Sequence, residues 1–119
     1  MITEEAQHQA AASDSRAAAA FVAKLRGAYD VAQVIMFGSR ARGEGRADSD
    51  LDLAVVLNGP RRDFIATKLD MAGTAFDVLM DTGVLVQPFP VWEDDLAHPE
   101  RFPNPSLIRN IAREGIRLG

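Results

Sequence analysis

The chain has 119 residues, 47% hydrophobic and 25% charged, with no cysteine and a net charge of −4. That length suits one domain with its own core, and the missing cysteines exclude disulfide scaffolds, zinc–thiolate sites, iron–sulfur clusters and thiol nucleophiles. The acidic balance argues against general nucleic-acid binding and the 7% aromatic content against a single-strand stacking platform. No run approaches the ~18 apolar residues of a membrane helix. The acidic start, with Glu4 and Glu5, lacks signal-peptide flanks, so a cytoplasmic location is expected.

Residues 1–30 are alanine-rich and favour a helix. Ser13 or Ser15 can cap it, and Ala18, Phe21, Val22, Leu25 and Ala28 then form an apolar stripe. Residues 1–12 either extend this helix or are disordered, and residues 13–119 make up the single domain. Val31–Phe37, V-A-Q-V-I-M-F, is a short β-branched run and predicts a strand ending at Gly38-Ser39. Residues 40–49 are polar with Gly43 and Gly45, a loop with at most one helical turn. Asp50–Leu57, D-L-D-L-A-V-V-L, predicts a second strand. Asn58-Gly59-Pro60 is a turn.

Arg61–Asp81 predicts a helix with Phe64, Ile65, Leu69, Ala72, Phe76 and Leu79 or Met80 at three- and four-residue spacing, stopped by Gly83. Val84–Val91 predicts a third strand, and Pro88 and Pro90 place it at an edge or bulge. Trp92–Leu96 is a short helical turn, with Trp92 an anchor at the core's edge, and His98–Pro105 is a loop. Ser106 can cap a last helix that buries Leu107, Ile108, Ile111 and Ala112 and turns Arg109, Arg113 and Arg117 outward. The order of elements favours a small α/β or α+β fold, a short sheet with helices on one side.

The chemistry concentrates in Phe37–Leu57, F-G-S-R-A-R-G-E-G-R-A-D-S-D-L-D-L-A-V-V-L. Gly38 after a strand lets the backbone approach a ligand, and Ser39 with the following N–H groups can donate to a phosphate. Arg40 and Arg42 add fixed positive charge beside it. Asp50 and Asp52, two apart on a strand, point to the same face. Two such carboxylates suit Mg²⁺, which prefers carboxylate, water and phosphate oxygens. The balance of eleven arginines to two lysines is otherwise compositional. His8 is expected to be exposed, and His98 before Pro99 to be a turn residue.

The ordered combination F-G-S-R-A-R-G…S-D-L-D-L-A-V-V-L resembles the signature of the DNA polymerase β-like nucleotidyltransferases. It is most similar to the minimal nucleotidyltransferases (MNT) that occur as antitoxins beside HEPN-domain toxins. The resemblance implies a polymerase β-like fold, a short mixed sheet with helices packed on it. It implies ATP as donor, with Gly38 and Ser39 on the triphosphate and Asp50 and Asp52 as catalytic ligands of a two-metal Mg²⁺ site. It further implies transfer of AMP to a tyrosine of a HEPN-type partner in a hetero-oligomer. Active members carry a third carboxylate on the next strand as general base. Here that strand is V-L-V-Q-P-F-P-V, and Gln87 stands roughly at that position. Asp77 and Asp81, one helical turn apart, and Asp48 are the nearby acids. A neutral amide cannot act as base, so two other readings stand beside the enzyme: an antitoxin that neutralises by binding alone, and one subunit of an antibiotic- or tRNA-directed transferase.

Overall fold

The computed structural model describes residues 4–38 and 50–118, with side chains from Asp14 onward. Among the described residues four strands form one mixed sheet in the order β3-β2-β1-β4. β1 (Val31–Phe37) and β2 (Leu51–Leu57) are antiparallel, with Phe37 opposite Asp52 and Ile35 opposite Ala54. The chain leaves β2, crosses through α2 (Phe64–Thr82) and returns as β3 (Val86–Trp92), parallel to β2. A two-residue strand, β4 (Ile116–Arg117), pairs with β1 at the other edge.

The central strand explains the two-layered core. Leu51, Leu53 and Val55 point to one face of the sheet, and Ala54 and Val56 to the other; all are buried. On the first face they meet Phe21 and Leu25 of α1 (Glu4–Arg26) and Met71 and Val78 of α2. On the second face, Ile108 and Ile111 of α4 (Pro105–Glu114) and Phe102 pack on Ile35, Ala54, Val56 and Val91. Fully burying one such Leu, Ile or Val side chain contributes about 1.5–3 kcal/mol. Helices therefore cover both faces, not one as the element order suggested. The extra cover comes from the C-terminal helix, whose side of the sheet is fixed only by tertiary packing.

Pro88 and Pro90 lie on the edge strand β3. Two apart, they turn both ring nitrogens to the open side, so the pairing with β2 loses no N–H donor. Asp63 caps α2 by accepting from the Ala66 N–H at 2.9 Å, and Gly83 ends it in the left-handed region at φ 77°. α3 (Glu93–Ala97) follows Trp92, which is buried as expected.

Four local expectations are corrected. Neither Ser13 nor Ser15 caps α1, which begins at Glu4, so of the two alternatives for residues 1–12 helix extension holds from Glu4, as alanine-rich sequence propagates a helix through weak capping residues. α4 is capped by Asn104, which accepts from the Leu107 N–H, with Pro105 in the first helical position; Ser106 lies inside the helix. Ala112 is exposed, and Arg117 is in β4 and not on the helix, which ends at Glu114.

α2 departs from its sequence pattern in an informative way. Its buried residues are Met71, Ala75 and Val78. The longer stripe of Ile65, Leu69, Phe76 and Met80 is 57–68% exposed. Helical spacing identified the helix, but periodicity cannot say which of two apolar faces meets the sheet.

Candidate functional site

The chemistry-bearing residues gather where β1 ends and β2 begins. Alternation along β2 puts Asp52 on the same face as Ala54 and Val56, one position beyond the part that α4 covers. Asp50 immediately precedes the strand and is partly exposed. Gly38 directly follows β1 with φ +77°, a conformation that side chains with a Cβ rarely adopt. A Cβ at Gly38 would stand 2.3 Å from Asp52 Oδ2, so any side chain there would have to displace this carboxylate. The positive φ and the close approach are two separate reasons for the same residue. Ser39, Arg40, Arg42 and Asp48 lie outside the described residues.

The third strand supplies the neighbour on the other side. Gln87 of β3 stands in register with Asp52 of β2. Its Nε2 donates to Asp50 Oδ2 at 3.0 Å. The amide thus meets the aspartate pair on the side where the sequence resemblance would put a third acid. Asp77 and Asp81 are exposed on α2, and among the described residues no three histidine or acidic side chains converge as a metal cluster.

An aromatic wall borders the carboxylates. Phe37, opposite Asp52, meets Phe89 edge-on at 6.2 Å between ring centroids. Phe89 pairs in register with Ala54, whose small side chain leaves room above the sheet for the rings to meet. Phe64 and Phe102 extend the wall at 5.1 and 5.9 Å from Phe89. Lys68 holds its ammonium over the Phe89 and Phe64 rings at 5.7 and 6.0 Å. Sequence reasoning missed this wall. Its one visible signal was the phenylalanine two residues after Gln87, which shares that residue's face of β3.

A glycine elbow against a carboxylate, with a second carboxylate two residues away in sequence, gathers at a strand end the oxygen ligands that a hard cation takes. The sequence profile of the nucleotidyltransferase domain matches residues 16–118, which include all of these positions. This chain belongs to the nucleotidyltransferase domain family. The fold agrees: the crystal structure of a candidate nucleotidyltransferase from Sulfolobus solfataricus superposes with a TM-score of 0.57. The two share 20% identity over 91% of this chain and 84% of that one, a likeness of fold alone. No curated protein matches this chain significantly.

Within this nucleotidyltransferase domain a separate cleft lies at the opposite end of the sheet, lined by Tyr29, Asp30, Asn58, Arg62 and Trp92. It is remote from Asp50 and Asp52 because β2 runs its full length between them, from Leu51 to Leu57. The chemistry follows the carboxylates and not that hollow. Among the described residues no helix is long and apolar enough to cross a membrane.

Proposed function

We propose that the chain transfers AMP from ATP to a hydroxyl of a partner protein, a tyrosine of a HEPN-type toxin, and so acts as an antitoxin. The observation that carries this reading is the contact between Gly38 and the Asp52 carboxylate, with Asp50 beside it, in a chain of the nucleotidyltransferase domain family. Asp50 and Asp52 fit one Mg²⁺, which is ordinarily held by one or two carboxylates and completes its shell with water and substrate phosphates. When bound, the ion neutralises phosphate charge and favours in-line displacement at phosphorus. The described donor set offers no bridging third acid for a second ion.

The transfer forms a bond from the acceptor oxygen to the α-phosphorus and breaks the bond to the β-phosphate oxygen. Pyrophosphate leaves, and the acceptor proton goes to solvent or to a base from the partner. Gln87 cannot take that proton, because an amide is neutral and not basic. With an amide at this position among the described residues, an acceptor that ionises readily is favoured. A tyrosine phenol, with an ordinary pKa of about 10, is a far stronger acid than an aliphatic hydroxyl. Gly38 and Ser39 would cradle the triphosphate, Arg40 and Arg42 would offset its charge, and the expected site is cytoplasmic.

A second reading has its own observation. The bond from Gln87 to Asp50 puts a neutral amide where the resemblance would put the basic carboxylate, and among the described residues no other acid stands there, which favours a nucleotide-binding antitoxin that neutralises by occlusion. Incubation with the adjacent gene's product, Mg²⁺ and ATP labelled on the α-phosphate separates the two. Label on a partner tyrosine, lost in Asp52→Ala, supports transfer. Neutralisation of the partner without label, unchanged in Asp52→Ala, overturns transfer in favour of occlusion.

A further inference from the structure

We propose that the exposed face of α2 is the contact surface of a symmetric homodimer, in which two copies pack α2 against α2 in antiparallel fashion. Among the described residues seven large hydrophobic ones are exposed, and four of them, Ile65, Leu69, Phe76 and Met80, form one stripe on this helix. Isolated apolar residues on a surface are ordinary; a stripe about 22 Å long at 1.5 Å per residue is a contact surface.

The spacing of the stripe identifies the occupant. Ile65 and Met80 lie equally far from the midpoint between Ala72 and Gly73, and Leu69 and Phe76 do so as well. A two-fold axis at that midpoint puts Ile65 of one copy over Met80 of the other, and Leu69 over Phe76. That self-complementarity is what an isologous interface requires, and a different partner would have no need of it. Ala72 and Gly73, both exposed, occupy the crossing point, where small side chains let the helix axes come close. Gly73 has no reason within one copy: a Cβ there would meet nothing within 4 Å. A glycine inside a helix still costs about 1 kcal/mol relative to alanine.

Charge points the same way. α2 has no acidic residue in its first turn and no basic residue in its last. Arg62 lies just before its start, and Asp77 and Asp81 lie near its end, all exposed. Asp63 at the N-cap complements the dipole of its helix, while Arg62 and the two aspartates run against it. In an antiparallel pair Arg62 of each copy lies beside the acidic end of the other, and the two helix dipoles oppose. Both unfavourable arrangements are thereby offset.

Sedimentation or light scattering on the full chain is expected to give twice the chain mass, falling to one chain in the variant Leu69→Glu/Phe76→Glu with unchanged circular dichroism. The chain has no cysteine, so single cysteines report the geometry directly. Ala72→Cys, beside the axis, is expected to form a disulfide-linked dimer on mild oxidation. Ile65→Cys, about 22 Å from its own copy along the axis, is expected not to. A single-chain mass at every concentration, a dimer indifferent to Leu69→Glu/Phe76→Glu, or cross-linking at position 65 overturns the proposal.

Discussion

Replacing Gln87 by glutamate asks directly what the amide does beside the aspartates. In the native chain Gln87 Nε2 donates to Asp50 Oδ2 at 3.0 Å. In Gln87→Glu a carboxylate oxygen takes the place of that donor. Two unit charges at that separation repel by about 1.4 kcal/mol in bulk water and roughly 5 kcal/mol at an effective dielectric constant of 20. Gln87 is exposed, so the lower figure governs, and the lost hydrogen bond adds about 0.5–1.5 kcal/mol. The metal-free variant should therefore be destabilised by about 2 kcal/mol. A divalent cation relieves the repulsion and gains a ligand, so Mn²⁺ or Mg²⁺ affinity should rise at least about tenfold, since 1.4 kcal/mol is one decade. Thermal unfolding with and without Mg²⁺, together with calorimetric titration of Mn²⁺, measures both effects. The curves should cross, with the variant less stable than the native chain without metal and regaining the difference with it. If metal-free stability is unchanged and cation affinity does not rise, Gln87 does not face Asp50 in solution, and the account of the missing base fails.

Three further outcomes follow from the same geometry. Gly38→Ala and Gly83→Ala share a backbone φ of 77°, but only Gly38 faces a carboxylate, while Gly83 has nothing within 4 Å. Unfolding followed by the single buried Trp92 should show about 1–2 kcal/mol lost at Gly83 and more at Gly38, with Mg²⁺-ATP binding weakened only at Gly38; equal effects at both would contradict the contact with Asp52. Asp95 is buried, accepts from the Trp92 N–H at 3.0 Å and pairs with Arg61 at 3.5 Å, so Asp95→Ala should destabilise by about 2–3 kcal/mol, below a fully buried pair because Arg61 is partly exposed. Asp95→Asn, which keeps the bond to Trp92, should lose less, and an equal loss would put the whole effect on the charge. Tyr29 is the single tyrosine, and burial, then its hydrogen bond to the Asp70 carboxylate and that group's charge, push its pKa up to about 12. Because the folded chain holds the phenol protonated, this contribution to stability is complete below pH about 10, the unfolded value, and is lost as pH rises from there through about 12. Ultraviolet titration of Asp70→Asn should move the midpoint down, and an unmoved midpoint would exclude Asp70 as a cause.

Much of this molecule is legible in its sequence because the signals are local. The β-branched run Val31–Phe37 appears as a strand with those bounds, and Gly83 stops its helix in the left-handed conformation. The two prolines marked β3 as an edge because a residue without an N–H cannot pair on both sides. Gly38 with Asp50 and Asp52 stood out because the residue types and their alternation are written in the chain itself. β4 was not legible, since two residues carry no periodicity and their pairing with β1 exists only after α4 has packed.

The sequence by itself determined most of the helix and strand segments and the glycine after β1, because each depends on steric and alternating patterns within a few residues. The resemblance already set Gln87 roughly across from Asp50 and Asp52; tertiary structure decided that its amide bonds to Asp50, and which apolar face of α2 is buried. Gln87 reaches Asp50 through strand pairing across 37 residues of sequence, and Phe37, Phe89 and Phe102 meet only when three distant segments share one face of the sheet. Periodicity counts apolar residues along one helix but does not encode which side the rest of the chain covers. That choice comes from the volume and shape of the surfaces that meet, and here it leaves Ile65, Leu69, Phe76 and Met80 outside.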